Sequence, residues 1–433
     1  MRILFITWEF PPLISGGLGT ACYGMAQALL RTGLALDLVL PTLEEAYFPL
    51  REPEDADRLP VALLEPDRYL ERRLTETTES GERMEALGLS PYPETYLTPG
   101  FSFGRFWSSV PWSRTVSREV VLQTIQASLA GPGDLFSKVQ ELTAKSIRLY
   151  RKLDFDLIHV HDWLTFPAGV VLKKLTGKPL VAHVHATEFD RAGGAGNERI
   201  HRIEHAGLSQ ADLIITVSRY TSEMIVDRYQ ISSERLRVVH NAHTFDSGPT
   251  ESRRIFKGPL ILFLGRITIQ KGPDYFLEVA RLVLKKHPEA RFVMAGAGDM
   301  MTRLLHRSAV QRMGPRFLFT DFLNRRQVDQ ILSAADIFIM PSVSEPFGIV
   351  PLEAMAHGTA AIISKQSGVA EVLVNALKID FWDLDQMADA VNELIENPGR
   401  RLALAQAGRE EVLAIKWDEA AQSIRQIYRE LGG

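Results

Sequence analysis

The sequence predicts an α/β protein in which one chain carries two doubly wound parallel sheets. Three observations lead there. The N-terminus reads strand (Ile3 to Trp8), glycine loop, amphipathic helix, strand (Leu34 to Leu40), a βαβ unit that requires parallel pairing under a cover of helices. Short apolar runs then alternate with helical periodicity in two separate arrays. Between the arrays lies a polar, turn-rich stretch, residues 246–258, which has the character of a linker. Two such sheets predict a cleft between domains, where ligands usually sit.

In the first array the opening strand stops at Glu9 and Pro11-Pro12, followed by Ser15-Gly16-Gly17-Leu18-Gly19. Apolar residues at Cys22, Met25, Ala26, Leu29 and Leu30 then mark one helix face, and Gly33 closes the helix. Residues 44–135 lose this rhythm and read as an irregular insertion with some helices. The insertion's late aromatic cluster, Phe101, Phe103, Phe106, Trp107 and Trp112, suits stacking on sugar rings or a small local core. Strands return at Asp156 to His161, Pro179 to His185, Asp212 to Val217 and Leu236 to Asn241. The second array places strands at Leu260 to Leu264, Arg291 to Ala295, Phe317 to Thr320, Ile337 to Met340 and Ala360 to Ser364. The expected domains are 1–245 and 246–416, and a last helix at 417–431 can pack on either.

Composition narrows the function. Apolar residues at 45% and charged residues at 24% are ordinary globular usage, which excludes collagenous and mainly disordered classes. Lys and Arg number 49 against 53 acids, a net charge of −4 that argues against a nucleic-acid-binding protein. One cysteine, Cys22, permits neither an internal disulfide nor a cysteine-based zinc site, so a reducing cytoplasm is expected. No apolar run reaches the ~18 residues of a membrane span, and the N-terminal run is too short for a signal peptide.

Several generic motifs fail on context. Gly17-x-Gly19 and Gly296-x-Gly298 both lack the third glycine of a dinucleotide fingerprint, and no P-loop occurs. Gly100-Phe-Ser102-Phe-Gly104 has the letters of a nucleophile elbow without the strand before and helix after. His201-Arg-Ile-Glu204-His205 matches a zinc-peptidase pattern, but a third ligand is not evident, and a polar helix face explains it.

The stronger signals form a set. Gly265-Arg266 with Lys271-Gly272 directly follows a strand end, two cations flanked by glycines that let backbone approach an anion, as a phosphate clamp needs. Glu345-Pro-Phe-Gly348 follows the strand Ile337 to Met340 and opens a helix whose free N–H groups suit an anion, with Glu353 on that helix to accept sugar hydroxyls. His159-Val-His161-Asp162-Trp163 and His183-Val-His185-Ala-Thr-Glu188-Phe189 close two strands of the first array. Histidines there are either satisfied core residues or site residues.

Together with Gly16-Gly17-Leu18-Gly19 and Asp380-Phe-Trp-Asp383, this set resembles the retaining glycosyltransferases of family 4, bacterial glycogen synthase-like members above all, over most of the chain outside 44–135. The resemblance implies the GT-B architecture, two facing Rossmann-like domains around a cleft. It also implies roles. Gly16 and Gly17 would approach the donor phosphates by backbone, and Arg266 and Lys271 would neutralise the departing diphosphate. Glu345 would sit beside the donor sugar. The N–H groups at Gly348, Ile349 and Val350 would bind phosphate or sugar, and Glu353 would hold the ribose. His185 would contact the sugar near the reacting carbon, and Asp162 would help position sugar or acceptor.

The implied activity is transfer of glucose from ADP- or UDP-glucose to an α-glucan, with retention. Apart from the nucleotide sugar as substrate it needs no cofactor, and it needs no metal, because fixed cations and a helix N-terminus can stabilise the leaving group. Asp383-Leu-Asp385 reads as a turn before a helix rather than a metal motif. Transfer to an envelope polysaccharide, a glycolipid or a small molecule is the alternative, though Arg72-Arg73 and Lys173-Lys174 are sparse for a membrane-facing patch. A non-catalytic carbohydrate-binding protein is the third reading. No integral membrane association is expected.

Overall fold

The computed structural model describes residues 1–10, 17–41, 47–50, 134–150, 153–243 and 255–432. They gather into two compact units, residues 1–50, 134–243 and 416–432 in the first and 255–415 in the second.

The first unit contains strands β1 (Arg2–Ile6), β2 (Ala35–Val39), β3 (Tyr47–Leu50), β4 (Leu157–His161), β5 (Leu180–Val184), β6 (Leu213–Thr216) and β7 (Leu236–Val238). Its helices are α1 (Gly17–Arg31), α2 (Asp134–Tyr150), α3 (Phe166–Thr176), α4 (Glu188–Ala192), α5 (Glu198–Gln210) and α6 (Arg219–Tyr229). The seven strands run in the order β3-β2-β1-β4-β5-β6-β7, all parallel except β3. β1, β4 and β5 are buried on both faces; β1 is an apolar run after Arg2, while β4 and β5 carry the buried histidines His159, His161 and His183. The expectation of irregular structure from residue 44 onward is corrected at its start. Tyr47–Leu50 pairs antiparallel with β2, and Pro49 is tolerated because β3 is an edge strand. The aromatic cluster at 101–112 and Gly100 to Gly104 lie outside the described residues.

The second unit contains β8 (Leu260–Leu264), β9 (Arg291–Ala295), β10 (Phe317–Phe319), β11 (Ile337–Met340), β12 (Ala360–Ser364) and β13 (Leu377–Ile379), with α7 (Pro273–Lys286), α8 (Met301–Val310), α9 (Arg325–Ala334), α10 (Ile349–Ala356), α11 (Leu384–Glu396) and α12 (Pro398–Ala414). Its six strands are parallel in the order β10-β9-β8-β11-β12-β13. Asp383 caps α11 by accepting from the Gln386 N–H at 3.0 Å, so Asp383-Leu-Asp385 is indeed a helix start.

One device recurs in both sheets. Asp156, Asp212 and Asp336 each precede a strand and accept the N–H of the first residue of a neighbouring strand, Arg2, Leu180 and Leu260, at 2.7, 2.8 and 2.9 Å. Each bond occupies a terminal donor that the ladder leaves open.

The last helix, α13 (Trp417–Gly432), packs in the first unit. Trp417 lies against α1 where Gly24 leaves room; a Cβ on Gly24 would stand 2.2 Å from Trp417 Nε1. Tyr428 Oη meets His159 Nδ1 at 2.6 Å, and Arg31–Asp418 at 3.0 Å and Arg237–Glu430 at 2.9 Å pin the rim. Gly24→Ala is therefore expected to destabilise the protein by about 1–3 kcal/mol through overpacking, read as an earlier urea midpoint at unchanged slope.

Candidate functional site

Both units place their chemistry at the sheet's switch point, where the strand order reverses. In the first that point lies between β1 and β4, in the second between β8 and β11. Loops after the C-terminal ends of such strands diverge to opposite faces and leave room for a ligand.

In the first unit the loop after β1 leads to α1. Gly16 lies outside the described residues; Gly17 is exposed at the start of α1, with nothing among the described residues within 4 Å of where a Cβ would stand. After β4 comes Asp162, buried and held at φ 58, a conformation that Asp tolerates better than most residues. Its Oδ1 accepts from the backbone N–H of His185 at 2.7 Å and of Ala186 at 3.3 Å, and its Oδ2 accepts from Arg191 at 3.0 Å. Asp162 thus holds the segment that carries His185. Arg191 also donates to Glu204 at 3.3 Å and to the Ala186 carbonyl at 2.8 Å. Burial works against its charge, but Asp162, Glu204, Glu188 and Asp190 outweigh this and raise its pKa.

His185 follows β5, with Nε2 3.0 Å from His161 Nδ1. Burial lowers its pKa; Asp162 opposes the shift and Arg191 adds to it. The ring is therefore neutral at neutral pH, able to hydrogen-bond a sugar without carrying charge.

His201 and Glu204 of the zinc-peptidase pattern are tied up structurally. His201 uses both ring nitrogens, on Tyr229 Oη at 3.1 Å and the Ala195 carbonyl at 2.6 Å, while Glu204 accepts from Tyr229 and Arg191.

In the second unit the loop after β8 runs from Gly265 to Gly272. Gly272 has φ +66, and a Cβ there would stand 2.0 Å from the Pro341 carbonyl oxygen, so only glycine lets this turn lie against the end of β11. That approach brings Lys271 to Glu345: the ammonium donates to the buried carboxylate, which Ser342 also contacts at 3.2 Å. Arg266 is exposed and donates to Gln270 at 3.2 Å. The Glu345 backbone is fixed to the loop after β12, its N–H on Gln366 O at 3.0 Å and its C=O accepting from Gly368 at 2.9 Å.

Gly348, at φ +102, sits at the N-terminus of α10 with its Cβ position 3.1 Å from Glu345 Cγ. No side chain caps this helix, so the first N–H groups, Ile349 and Val350 among them, are placed for an anion. Glu353 is buried one turn further on and is paired with Arg325 at 2.5 Å. The structure therefore joins Lys271, Glu345, Gly348, Ile349 and Val350 in one junction, with Glu353 on the same helix.

Asp380 accepts from Lys365 at 2.8 Å and Gln366 at 2.9 Å, and Trp382 beside it is exposed. Sequence reasoning missed Arg191, Arg325 and Ser342. Ser342 lies three residues from Glu345 and could have been found by its loop; the two arginines carry no local signal.

Comparison with known proteins gives three profile matches along the chain: starch synthase catalytic domain over residues 2–84, Glycosyltransferase Family 4 over 110–244, and glycosyl transferases group 1 over 250–411. The chain is 31% identical over 311 residues to an α-maltose-1-phosphate synthase of Mycolicibacterium smegmatis, spanning 64% of this chain and 79% of that protein. It is 25% identical over 437 residues to a glycogen synthase of Mycobacterium tuberculosis, covering 99% and 94%. Among solved structures, sucrose-phosphate synthase from Thermosynechococcus elongatus superposes with a TM-score of 0.70 at 19% identity, covering 100% of this chain and 99% of that one, a likeness of fold.

Proposed function

The chain belongs to the glycosyltransferases of family 4, in the GT-B fold and among its glycogen synthase-like members, and from that premise we propose that it moves glucose from ADP- or UDP-glucose onto an α-glucan with retention of configuration. Glycosyl transfer is the family's chemistry; the donor, the acceptor and retention are the proposal.

The observation that carries it is the junction of Lys271, Glu345 and the α10 N-terminus. Breaking a glycosyl–phosphate bond leaves an oxocarbenium-like sugar and a diphosphate. Lys271, Arg266 and the N–H groups of Ile349 and Val350 would hold that departing charge. No step in this account needs a metal. Glu345 anchors Lys271 and would face the donor sugar, and Glu353 would take the ribose hydroxyls. In the first unit the neutral His185 would hydrogen-bond the sugar near the reacting carbon, held in place by Asp162.

The test is turnover with ADP-glucose, UDP-glucose and other sugar nucleotides, with and without glycogen, in EDTA. Glycogen-dependent nucleotide release is the expected result. Donor-induced thermal stabilisation without such release would overturn the glucan acceptor and leave a lipid or small-molecule acceptor. Release that needs added metal would overturn metal-free transfer.

Glu353→Gln should raise the donor KM by about 10- to 150-fold, the value of a charge-assisted hydrogen bond, with kcat little changed. Its partner Arg325 is half exposed, so the fold should tolerate the change.

A further inference from the structure

Four histidines project from neighbouring strands onto one patch of the first unit. His159 and His161 alternate along β4, and His183 and His185 along and just past β5, with His161 directly opposite His183. Their rings stack: His159 to His183 at 5.4 Å, His161 to His183 at 5.2 Å and His183 to His185 at 4.4 Å between centroids. His159, His161 and His183 have no exposed surface.

A core does not readily keep imidazoles whose nitrogens have no partner. Here His159 Nε2, His161 Nε2 and both nitrogens of His183 have none among the described residues. The partnered nitrogens follow a pattern. His159 Nδ1 is taken by Tyr428 Oη at 2.6 Å, and His161 Nδ1 by His185 Nε2 at 3.0 Å. Each contact fixes the ring and, when the Nδ1–H donates, leaves a bare lone pair on Nε2. This is the outer-shell arrangement found behind metal-ligating histidines.

We propose that His159, His161 and His183 bind one late first-row transition-metal ion, zinc in the first instance. One ring nitrogen from each lies within 4.8 Å of one from each of the other two. Zn–N bonds of about 2.05 Å at a tetrahedral angle need nitrogens about 3.3 Å apart, so no pair of these nitrogens has to approach by more than about 1.5 Å, with the rings turning to aim their lone pairs at one point. Three imidazoles suit zinc, cobalt, nickel or copper, whereas magnesium and calcium want oxygen. Cys22 forms a second possible group with His161 and His185, but its thiol is already in contact with the Thr7 hydroxyl at 3.2 Å. The ion would tie β4 to β5 immediately before Asp162 and His185. It is separate from the transfer step, and its buried ligands shield it from EDTA in an activity assay.

The test uses untagged full-length protein from zinc-supplemented cells. About one zinc per chain should survive dialysis against EDTA. Unfolding in chelator and refolding with Co²⁺ should give the visible d–d bands of a nitrogen-ligated tetrahedral ion, lost in His183→Val and in His159→Phe and kept in Cys22→Ser. X-ray absorption on the wild-type zinc protein, which needs no variant to fold, should show imidazole nitrogen and no sulfur. Zinc well below one per chain together with no cobalt uptake on refolding would overturn the proposal. So would uptake unchanged in a folded His183→Val, or a sulfur ligand.

Discussion

Lys271→Ala and Arg266→Ala are each expected to lower the rate of transfer by about 10²–10³, the usual cost of removing one preorganised donor to a developing anion. Arg266 is the cleaner test, because its side chain is exposed and no carboxylate depends on it; what it leaves behind is one neutral acceptor, the side-chain oxygen of the buried Gln270. Lys271 is the larger perturbation. It donates to Glu345, a carboxylate only 5% exposed, and without it that acid keeps Ser342 as its remaining side-chain contact. Initial rates at saturating donor and acceptor, read beside the thermal midpoint, separate the two effects. A fall in kcat with the midpoint preserved assigns the loss to the transition state. Near-normal turnover in either variant would remove these cations from the mechanism.

Asp162→Ala should cost both stability and activity. The substitution strips acceptors from the His185 and Ala186 N–H groups and leaves the partly buried Arg191 guanidinium with Glu204 alone among its carboxylate contacts. Breaking a fully buried pair costs about 3–5 kcal/mol; with Arg191 still partly open to water the loss should lie at or below the lower end of that range, still a large share of a typical 5–15 kcal/mol. Asp162→Asn keeps an oxygen for the backbone and tolerates φ 58, so it should lie between wild type and Ala in denaturant midpoint. Equal midpoints for wild type and Asp162→Ala would show that the loop is held by something else. A retained fold with lost turnover in Asp162→Asn would assign the carboxylate charge to catalysis.

Much of the fold was legible because a parallel sheet covered on both faces writes its strands as continuous apolar runs. Leu260–Leu264, Arg291–Ala295, Ile337–Met340 and Ala360–Ser364 match the expected strands end to end. The two strands that went unread, Tyr47–Leu50 and Leu377–Ile379, are edge strands, one broken by Pro49 and the other by the exposed Lys378. Helical periodicity gave α13 an apolar face but not its partner, since Tyr428 meets His159 from 269 residues away. The site divides the same way. Arg266, Lys271, Glu345 and His185 announce themselves by chemistry at strand ends. Arg191 and Arg325, by contrast, act on Asp162 and Glu353 over 29 and 28 residues, a spacing that the fold sets and no motif records.

The return of the chain to its first unit sets a schedule for biosynthesis. The ribosome completes β1 to β7, then makes the whole second unit, and only afterwards delivers α13. Residues 238 and 417 are 179 apart (417 − 238), so at roughly 5–20 residues per second some ten to forty seconds separate the last strand from Trp417. For that interval the notch at Gly24 and the outer edge of His159 lack their cover, and by its end the later-made unit has every strand it needs. The half synthesised first is thus the half finished last, and its nascent form offers a chaperone an apolar seam along α1 until the final helix docks.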